Sequence, residues 1–543
     1  MKDFKDKVIY QIYPKSFKDT DEDGLGDLRG IIEKLDYLSN LGVDYLWITP
    51  FFKSPQNDNG YDIEDYYQID PAYGTMKDLE ELIAKAKEKN IYLMLDMVFN
   101  HTSTAHEWFK KALAGDPYYK DFYFFKKNEG KVPTNWISKF GGSAWEYIKD
   151  LDEYYLHLYD KSQADLNWEN PNVREELIKV LNFWLEKGIK GFRFDVINVI
   201  SKDKFEDDYE GDGRRFYTDG KKVVEYLKEL NENSFGKYDD IITVGEMSST
   251  SIENCIKYTN PENHALDMAF NFHHLKVDYK DGDKWTDAPV DFEEFKNLLD
   301  KWQVGMEKGK GWNALFLNCH DQPRSVSRFG NDKGYRKESA KMLGTITHML
   351  EGTPYIYQGE EIGMTNNYFT DIRDYRDVES INYYKILKEK GLKEDKIMKI
   401  IQDKSRDNAR SPMQWNANGG FTSGKAWIKE NDNKKYINAE ESLKDPDSIY
   451  AYYQSLIKLR KKYKPISHGT YQRVLEKVKE IYAFKRIFEN EEILVINNLG
   501  QKEIEIEIKD IEDYKILLTN YKEDRLEEKI KLKAYESIIL YKE

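Results

Sequence analysis

Eight short apolar segments recur along the first two thirds of this 543-residue chain, and each is followed by a polar–apolar stretch with helical spacing. Such alternation is typical of strands in a parallel sheet that are joined by amphipathic helices. Eight repeats of this unit predict a (β/α)8 barrel. The segments are VIYQIYP (8–14), YLWITPF (45–51), IYLMLDMV (91–98), GFRFDVI (191–197), IITVGEM (241–247), MAFNF (268–272), LFLNCHD (315–321) and PYIYQGEE (354–361).

The pattern of the chain predicts three domains. Residues 102–167, between the third and fourth apolar segments, are rich in Tyr, Trp, Asp and Lys without clear periodicity, which predicts an inserted, irregular subdomain. After about residue 470, strand-like segments follow one another without helices, which predicts an all-β sandwich over 471–543. The catalytic barrel is therefore expected over 1–101 and 168–470.

Composition excludes several classes of function. The net charge of −15 argues against general nucleic-acid binding. Cys255 and Cys319 form neither a disulfide framework nor a zinc-binding spacing. No apolar run approaches the roughly 20 residues of a membrane span, and the first residues lack the apolar core of a signal peptide. We therefore expect a soluble cytoplasmic protein with no membrane, nucleic-acid or obligate protein partner.

Polar residues gather where the apolar segments end, which is the face where barrel enzymes place their chemistry. Asp96 is followed by Asn100 and His101, and the other segments end in Arg193 with Asp195, in Glu246, and in His320 with Asp321. Four such ends form a pattern that structural ion pairs alone rarely produce.

Arg193 and Asp195 are two residues apart in a strand-like segment, so their side chains should project from the same face. An aspartate beside a guanidinium stays ionised well below neutral pH, as a carboxylate nucleophile requires. Taken alone, the pair could equally be a buried structural ion pair.

Five short motifs resemble the signature regions of the α-amylase superfamily of glycoside hydrolases, and they occur in the family's order. They are DMVFNH (96–101), QADLN (163–167), GFRFDVI (191–197), VGEM (244–247) and NCHDQ (318–322). The resemblance implies a retaining mechanism in which Asp195 is the nucleophile and Glu246 is the general acid and base, with a raised pKa and carboxyl groups about 5–5.5 Å apart. Asp321 is implied to orient sugar hydroxyls and to favour the oxocarbenium-like transition state.

The same resemblance implies further substrate contacts. Asp96 is expected to support the site through hydrogen bonds rather than to react. For the NDNGYDIEDY segment (57–66), an ordinary turn is the alternative interpretation. The implied substrate-binding residues are Asp58, Tyr61, His101, Arg193, His320 and Arg410.

An acidic loop, DTDEDGLGDLRG (19–30), carries Asp19, Asp21, Asp23 and Asp27 around Gly24. Oxygen ligands at alternating positions with a glycine turn suit a hard cation such as Ca²⁺. Gly30 occupies the place of the bidentate glutamate of an EF-hand, and the loop instead resembles the calcium loop of the oligo-1,6-glucosidase group within the superfamily. A structural Ca²⁺ is therefore expected, with none needed for catalysis; a solvated acidic turn without metal is the alternative.

Val196, directly after Asp195, also resembles the oligo-1,6-glucosidase group. Three stretches are most similar to that group's trehalose-6-phosphate hydrolases: EGDGRRFYTDG (210–220), VGEMSSTS (244–251) and FNFHHLKVDYKDGDKW (270–285). A phosphate dianion needs charge-assisted donors, and we expect these donors to be His273, His274, Lys276 and Lys284. Because Asp278, Asp281 and Asp283 interleave them, a solvated mixed-charge loop is the alternative.

The resulting prediction is an α-glucosidase that hydrolyses α,α-trehalose 6-phosphate to glucose and glucose 6-phosphate. The nearest alternative is an oligo-1,6-glucosidase that acts on isomaltose-type sugars. A non-catalytic relative, like the barrel-containing heavy chains of some amino-acid transporters, is disfavoured because Asp195, Glu246 and Asp321 are all present and no membrane anchor is evident.

Overall fold

A computed structural model describes residues 4–522 and 526–543. Within this part of the chain, all eight predicted barrel strands are confirmed, and they form one sheet in the order β6-β5-β4-β3-β2-β1-β8-β7. The strands are β1 (Ile9–Ile12), β2 (Tyr45–Ile48), β3 (Tyr92–Met97), β4 (Gly191–Phe194), β5 (Ile242–Glu246), β6 (Met268–Phe270), β7 (Ala314–Leu315) and β8 (Thr353–Tyr357). The fold is thus a (β/α)8 barrel with a C-terminal β domain. Asp96, Arg193 and Glu246 lie at or near the ends of their strands, whereas Asp195, His320 and Asp321 follow the strand ends.

The chain divides into two compact units. Unit 1 comprises Trp47–Glu88 and Tyr92–Phe272. Unit 2 comprises Lys89–Ile91, His273–Glu543 and the described N-terminal residues up to Leu46. In unit 1, β3, β4, β5 and β6 pair in parallel. In unit 2, β8 pairs in parallel with both β1 and β7.

Helices follow the strands as the sequence predicts. The stretch LRGIIEKLDYLSNLG (28–42) has helical spacing throughout, which predicts one helix, but the helix is interrupted at Lys34, whose φ and ψ of −102° and 6° leave the helical region. Gly42 and Gly188 have φ of +100° and +95°, which glycine adopts without a Cβ clash. The principal helices are Leu28–Glu33, Leu35–Leu41, Met76–Glu88, Pro171–Glu186, Val223–Asn233, Ile252–Thr259, Phe292–Lys308, Arg336–Met349, Val378–Glu389, Glu394–Lys404 and Ile449–Lys462.

The insertion after β3 is more regular than its sequence suggests. It contains the helices Glu107–Leu113 and Pro117–Lys120, a three-stranded antiparallel sheet, and a two-stranded pair. Its strands are only three or four residues long, which is too short for a clear alternation of apolar and polar residues. The strands are His101–Ser103, Phe125–Lys127, Trp145–Ile148, Glu153–Leu156 and Gln163–Asp165.

The C-terminal region is all-β, as predicted. A five-stranded antiparallel sheet and a two-stranded pair enclose a core that includes Ile496, Leu532 and Leu540. Two of the strands are Thr470–Val474 and Lys529–Leu532. The others are Ile481–Phe488, Glu491–Asn498, Ile504–Glu507, Lys515–Thr519 and Ser537–Lys542.

The exact limits of the three predicted domains remain a prediction. Across the described ranges, no helix combines the length and the apolar character needed to cross a bilayer.

Candidate active site

Three carboxyl groups of unit 1 share one guanidinium. The side chain of Arg193 is almost fully buried, and its Nη1 donates to Asp96 Oδ1 at 2.6 Å and to Asp195 Oδ1 at 2.7 Å. Its Nη2 donates to Glu246 Oε2. Burial opposes the charge of Arg193, but Asp96, Glu246 and Asp195 hold its pKa well above the ordinary value.

Strand register explains why these groups meet. Arg193 lies beside Asp96 in the pairing of β4 with β3, and Glu246 is the last residue of β5. Asp195 follows the last residue of β4, and its backbone N–H donates to the carbonyl of Met97 at 3.0 Å. The side chains of Arg193 and Asp195 therefore project together, as their two-residue spacing predicts.

Asp96 is enclosed by donors. Besides Arg193, it accepts hydrogen bonds from Trp47 Nε1 and from the Tyr61 hydroxyl, both at 3.0 Å to Oδ2. Burial raises the pKa of Asp96 to about 7, although Arg193 acts in the opposite direction. Because both of its oxygens bind protein donors, the geometry fits a supporting role rather than a reacting one.

Gln163 connects three of the predicted substrate-binding residues. Its Nε2 donates to Asp58 Oδ2 and to the carbonyl of Tyr61, both at 3.1 Å, and lies 3.2 Å from His101 Nε2. Burial lowers the pKa of His101, which favours a neutral imidazole. Gln163 was not predicted individually, although the motif that contains it (163–167) was recognised.

A buried ion pair between Lys202 and Asp165 lies next to the strand that carries His101. Lys202 Nζ is 2.8 Å from both Asp165 Oδ2 and Asn100 Oδ1, and the side chains of Lys202 and Asp165 are fully buried. Asn100 also donates to Asp165 at 3.0 Å. The strand that carries His101 pairs with the strand that carries Asp165, so this cluster fixes the backbone at His101.

In unit 2, the charge balance is reversed, because Asp321 faces three cationic or potentially cationic groups. Its Oδ1 accepts from Arg410 Nη2 at 2.8 Å and from Arg406 Nη1 at 3.2 Å, and its Oδ2 lies 3.1 Å from His320 Nε2. Burial alone would raise the pKa of Asp321, but His320, Arg406 and Arg410 hold it well below the usual range.

Each of the three partners of Asp321 makes further hydrogen bonds that fix its position. Gln11 Nε2 lies 2.7 Å from His320 Nδ1, a contact in which the amide donates when the imidazole proton is on Nε2, the nitrogen that faces Asp321. Arg410 Nε donates to the carbonyl of His320 at 3.1 Å. Arg406 binds the fully buried Asp377 through Nε at 2.9 Å and Nη2 at 2.7 Å.

Arg406 and Asp377 were not predicted from the sequence. A signal for Arg406 was present, because it lies four residues before Arg410, a spacing that places two side chains on one face of a helical turn. Asp377 carries no such signal, because its partners are distant along the chain.

The predicted phosphate-binding segment has a mixed environment. Lys284 Nζ donates to Glu379 Oε2 at 2.8 Å and lies 4.8 Å from the centre of the Trp285 ring. His274 is buried, its Nε2 lies 2.7 Å from the carbonyl oxygen of Phe316, and burial lowers its pKa to about 4. A neutral, engaged imidazole is a poor anion donor, which weighs against His274 as a phosphate ligand.

The remaining members of this segment are placed differently. The imidazole of His273 stacks on Trp302 with 5.3 Å between ring centres, and Lys276 is half-buried. Asp278 is bound by Arg328 and by Lys404, each at 2.6 Å, so cations already balance its charge. The negative charge of Asp278 should therefore repel a bound phosphate less strongly than the sequence suggests.

The acidic loop of unit 2 brings three carboxylates together. One oxygen each of Asp19, Asp21 and Asp27 lie within 4.8 Å of one another. Asp23 instead accepts the backbone N–H of Leu25 at 2.7 Å. This set of carboxylate oxygens fits a hard cation such as Ca²⁺.

Glycine is required at the tip of the acidic loop. Gly24 has φ of +92°, and a Cβ at this position would lie 2.1 Å from the carbonyl oxygen of Lys425. Its N–H donates to Asp19 Oδ2 at 2.9 Å. The close approach of Gly24 to the backbone of Lys425 and its hydrogen bond to Asp19 therefore hold the loop in shape.

Comparison with protein families gives two matches. Residues 11–469 match the model of the alpha-amylase catalytic domain. Residues 481–539 match the model of the alpha-amylase SusG C-terminal domain.

Similar proteins span essentially the whole chain. It is 54% identical to a trehalose-6-phosphate hydrolase of Bacillus subtilis (strain 168), over 99% of this chain and 97% of that protein. It is 48% identical to an oligo-1,6-glucosidase of Parageobacillus thermoglucosidasius, over 98% of both. The crystal structure of a Bacillus licheniformis trehalose-6-phosphate hydrolase superimposes with a TM-score of 0.96 at 56% identity, covering 100% of both chains.

Proposed function

The chain belongs to the alpha-amylase family of glycoside hydrolases, and on that premise we propose that it hydrolyses α,α-trehalose 6-phosphate to glucose and glucose 6-phosphate. The observation that carries the proposal is the contact of Arg193 with both Asp195 and Glu246. That contact brings together two carboxyl groups, and the mechanism of a retaining glycosidase requires such a pair. The full-length similarity to two trehalose-6-phosphate hydrolases supports the choice of substrate.

In the first step, the Asp195 carboxylate attacks the anomeric carbon of the unphosphorylated glucose unit. Glu246 gives its proton to the bridging oxygen, so glucose 6-phosphate leaves and a glucosyl–Asp195 ester remains. In the second step, Glu246 takes a proton from water, and that water attacks the anomeric carbon and releases glucose. Asp321, kept ionised by Arg406 and Arg410, is assigned to the sugar hydroxyls and to the charge of the transition state.

The charge balance of unit 1 suits this sequence of steps. One guanidinium faces three carboxyl groups, so full ionisation would leave a net negative cluster in a buried site. Such a cluster favours retention of one proton near neutral pH. The proposed mechanism places that proton on Glu246 when substrate binds, because Glu246 is the group that must donate it to the bridging oxygen.

The substrate assignment is tested by glucose release from trehalose 6-phosphate, unphosphorylated trehalose and isomaltose at equal concentrations. A strong preference for the phosphorylated sugar is expected. A preference for isomaltose would leave the glycosidase chemistry in place but make the enzyme an oligo-1,6-glucosidase, the activity of its relatives at 48% and 47% identity.

Lys276 gives the sharper test of phosphate recognition. The variant Lys276→Ala should raise KM for trehalose 6-phosphate about 10-fold or more, since a charge-assisted hydrogen bond contributes roughly 1.5–3 kcal/mol. Turnover of 4-nitrophenyl α-glucoside should stay within about 2-fold, because this substrate carries no phosphate. Lys280→Ala, an exposed lysine of the same segment, is the matched control. Equal losses on both substrates would contradict phosphate binding by Lys276.

We also propose that Asp19, Asp21 and Asp27 bind a structural Ca²⁺. Added Ca²⁺ should raise Tm, because a ligand that binds only the folded state stabilises it. Asp21→Asn should abolish this rise, whereas Asp23→Asn should leave most of it, since Asp23 is engaged with Leu25. A Tm that does not respond to Ca²⁺ in the unmodified protein would contradict the proposal.

The proposed substrate also bears on location and partners. A sugar phosphate is ionised at neutral pH and crosses membranes poorly, since burying a charge in an apolar medium is costly. We propose that the enzyme works in the cytoplasm on sugar already phosphorylated there, with this small molecule as its partner.

A further inference from the structure

Asn198 connects the loops that follow the two catalytic carboxyl groups. It is fully buried and lies three residues after Asp195. Its Nδ2 donates to the carbonyl of Ser248 at 2.9 Å, and its Oδ1 accepts the N–H of Ser248 at 2.8 Å. Ser248 lies two residues after Glu246. One side-chain amide thus pairs with both backbone groups of a residue on the other loop.

Asp219 fixes the orientation of this amide. Its Oδ1 accepts from Asn198 Nδ2 at 2.9 Å, and its backbone N–H donates to the carbonyl of Asn198 at 2.8 Å. The same carboxylate accepts from Tyr258 at 2.7 Å, Asn254 at 2.9 Å and Thr250 at 3.2 Å. Because an ionised carboxylate only accepts, the Asn198 amide must present its nitrogen to Asp219 and to the carbonyl of Ser248.

The backbone next to Asp195 needs such a restraint. Val196 has φ of 36° and ψ of 39°, a left-handed conformation that is unfavourable for a β-branched residue. A short 3₁₀ turn, Ile197–Val199, follows it and contains Asn198. An unfavourable turn persists only where surrounding contacts hold it, and the hydrogen bonds of Asn198 are contacts of this kind.

We propose that Asn198 is a positioning residue that fixes the separation between the carboxyl groups of Asp195 and Glu246, and that Asp219 orients its amide. A retaining glycosidase needs about 5–5.5 Å between its two carboxyl groups. A displacement of about 1 Å can reduce the rate about 100-fold. Arg193 contacts both carboxyl groups directly, whereas Asn198 joins the two loops that follow Asp195 and Glu246 in the chain. The inference rests on the assignment of Asp195 and Glu246 under the proposed function, but not on the phosphorylated substrate.

The test uses two aryl α-glucosides that differ in leaving group. A 2,4-dinitrophenyl leaving group departs with little proton donation, whereas a phenyl leaving group depends on the proton from Glu246. The variant Asn198→Ala should lower kcat/KM about 100-fold for the phenyl glucoside and about 10-fold for the dinitrophenyl glucoside. A purely structural loss of active enzyme would lower both values by the same factor.

Asn498→Ala is the matched control. Asn498 is also a fully buried asparagine that bridges backbone groups, donating to the carbonyls of Lys502 and Lys533 at 2.8 Å and accepting the N–H of Gly500 at 3.0 Å. It lies in the C-terminal β domain, so both kcat/KM values should stay within about 2-fold of those of the unmodified protein. Turnover of both glucosides by the unmodified protein checks the catalytic assignment separately.

If Asn198→Ala does not fold, Asn198→Asp keeps the size of the side chain and its acceptor for the N–H of Ser248. It replaces both donations by repulsion, from Asp219 and from the carbonyl of Ser248. A larger loss on the phenyl glucoside than on the dinitrophenyl glucoside is again expected. Equal losses on the two substrates, or no loss on either, would overturn the proposal for whichever variant folds.

Discussion

The two units place the carboxyl groups that are proposed to be catalytic in opposite electrostatic surroundings. In unit 1, Arg193 is shared by Asp96, Asp195 and Glu246, so carboxyl groups outnumber the cation. In unit 2, Asp321 contacts two arginines and a histidine, so its direct partners outnumber it, although Arg406 also binds Asp377.

The difference matches the task of each group. A general acid must hold a proton at working pH, and a site poor in positive charge favours the protonated carboxyl. A group that stabilises a cationic transition state must remain ionised, and a site rich in positive charge favours the carboxylate. Burial acts in the same direction at Asp96 and Asp321, yet the pKa rises at the first and falls at the second. The number of neighbouring cations therefore decides the outcome.

Removing Arg193, the cation that the three carboxyl groups of unit 1 share, should have the largest effect. Arg193→Met leaves three carboxyl groups without their shared partner, so we expect a loss of about 3–5 kcal/mol in the free energy of unfolding. The kcat on an aryl glucoside should fall at least about 1,000-fold, because both catalytic carboxyl groups lose a fixed contact. Urea unfolding and steady-state kinetics measure the two effects. A fall in kcat below 10-fold would show that the shared guanidinium is not essential.

Removing one of the two arginines that contact Asp321 in unit 2 should have a smaller effect. Arg410→Met and Arg406→Met each leave Asp321 with another guanidinium, so kcat should fall about 10- to 100-fold in each variant. The double variant should lose more than the product of the two single losses, since the two groups share one partner. Stability should fall more for Arg406→Met, because it leaves the fully buried Asp377 without its closest cation. Strictly multiplicative losses in kcat would contradict the shared role.

The pH dependence of stability should differ between the two units. The pKa of Asp96 is raised to about 7 in the folded protein, so the folded state binds more protons than the unfolded state between about pH 4 and 7. Its contribution to stability is present below pH 4 and is lost as pH rises towards 7, by at most about 1.4 kcal/mol per pH unit. Asp96→Asn should remove this loss, which urea unfolding at several pH values measures.

Asp321 should behave in the opposite way. Its pKa is lowered in the folded protein, so its contribution is present above about pH 4 and is lost as the solution becomes more acidic. Asp321→Asn should therefore flatten stability only in acid. If both variants flattened the same pH range, the electrostatic contrast between the units would be wrong.

Periodicity and spacing predicted most of the fold. The eight apolar segments predicted the eight barrel strands, because burial on both faces of a parallel sheet requires continuous apolar runs. The regular elements of the insertion could not be predicted, since strands of three or four residues are too short to show a period. The break at Lys34 was also hidden, because LRGIIEKLDYLSNLG keeps helical spacing throughout.

The site was predictable where chemistry is local in sequence. The spacing of Arg193 and Asp195 predicted that their side chains project together, and the structure shows this contact. Asn198, Gln163 and Asp377 were missed because their roles depend on partners 29 to 105 residues away, such as Ser248, Asp58 and Arg406. Asparagine is common in ordinary turns, so the presence of Asn198 alone predicted nothing.

The contacts of Lys284 bear on how substrate preference can change in this enzyme. Lys284 binds Glu379, Glu379 lies 3.5 Å from Arg406, and Arg406 binds Asp321. A substitution of Lys284 that altered the preferred sugar would also alter the charge around Asp321, which is proposed to act on every substrate. Changes of Lys284 should therefore be tolerated, in evolution or in engineering, only when Glu379 changes with it.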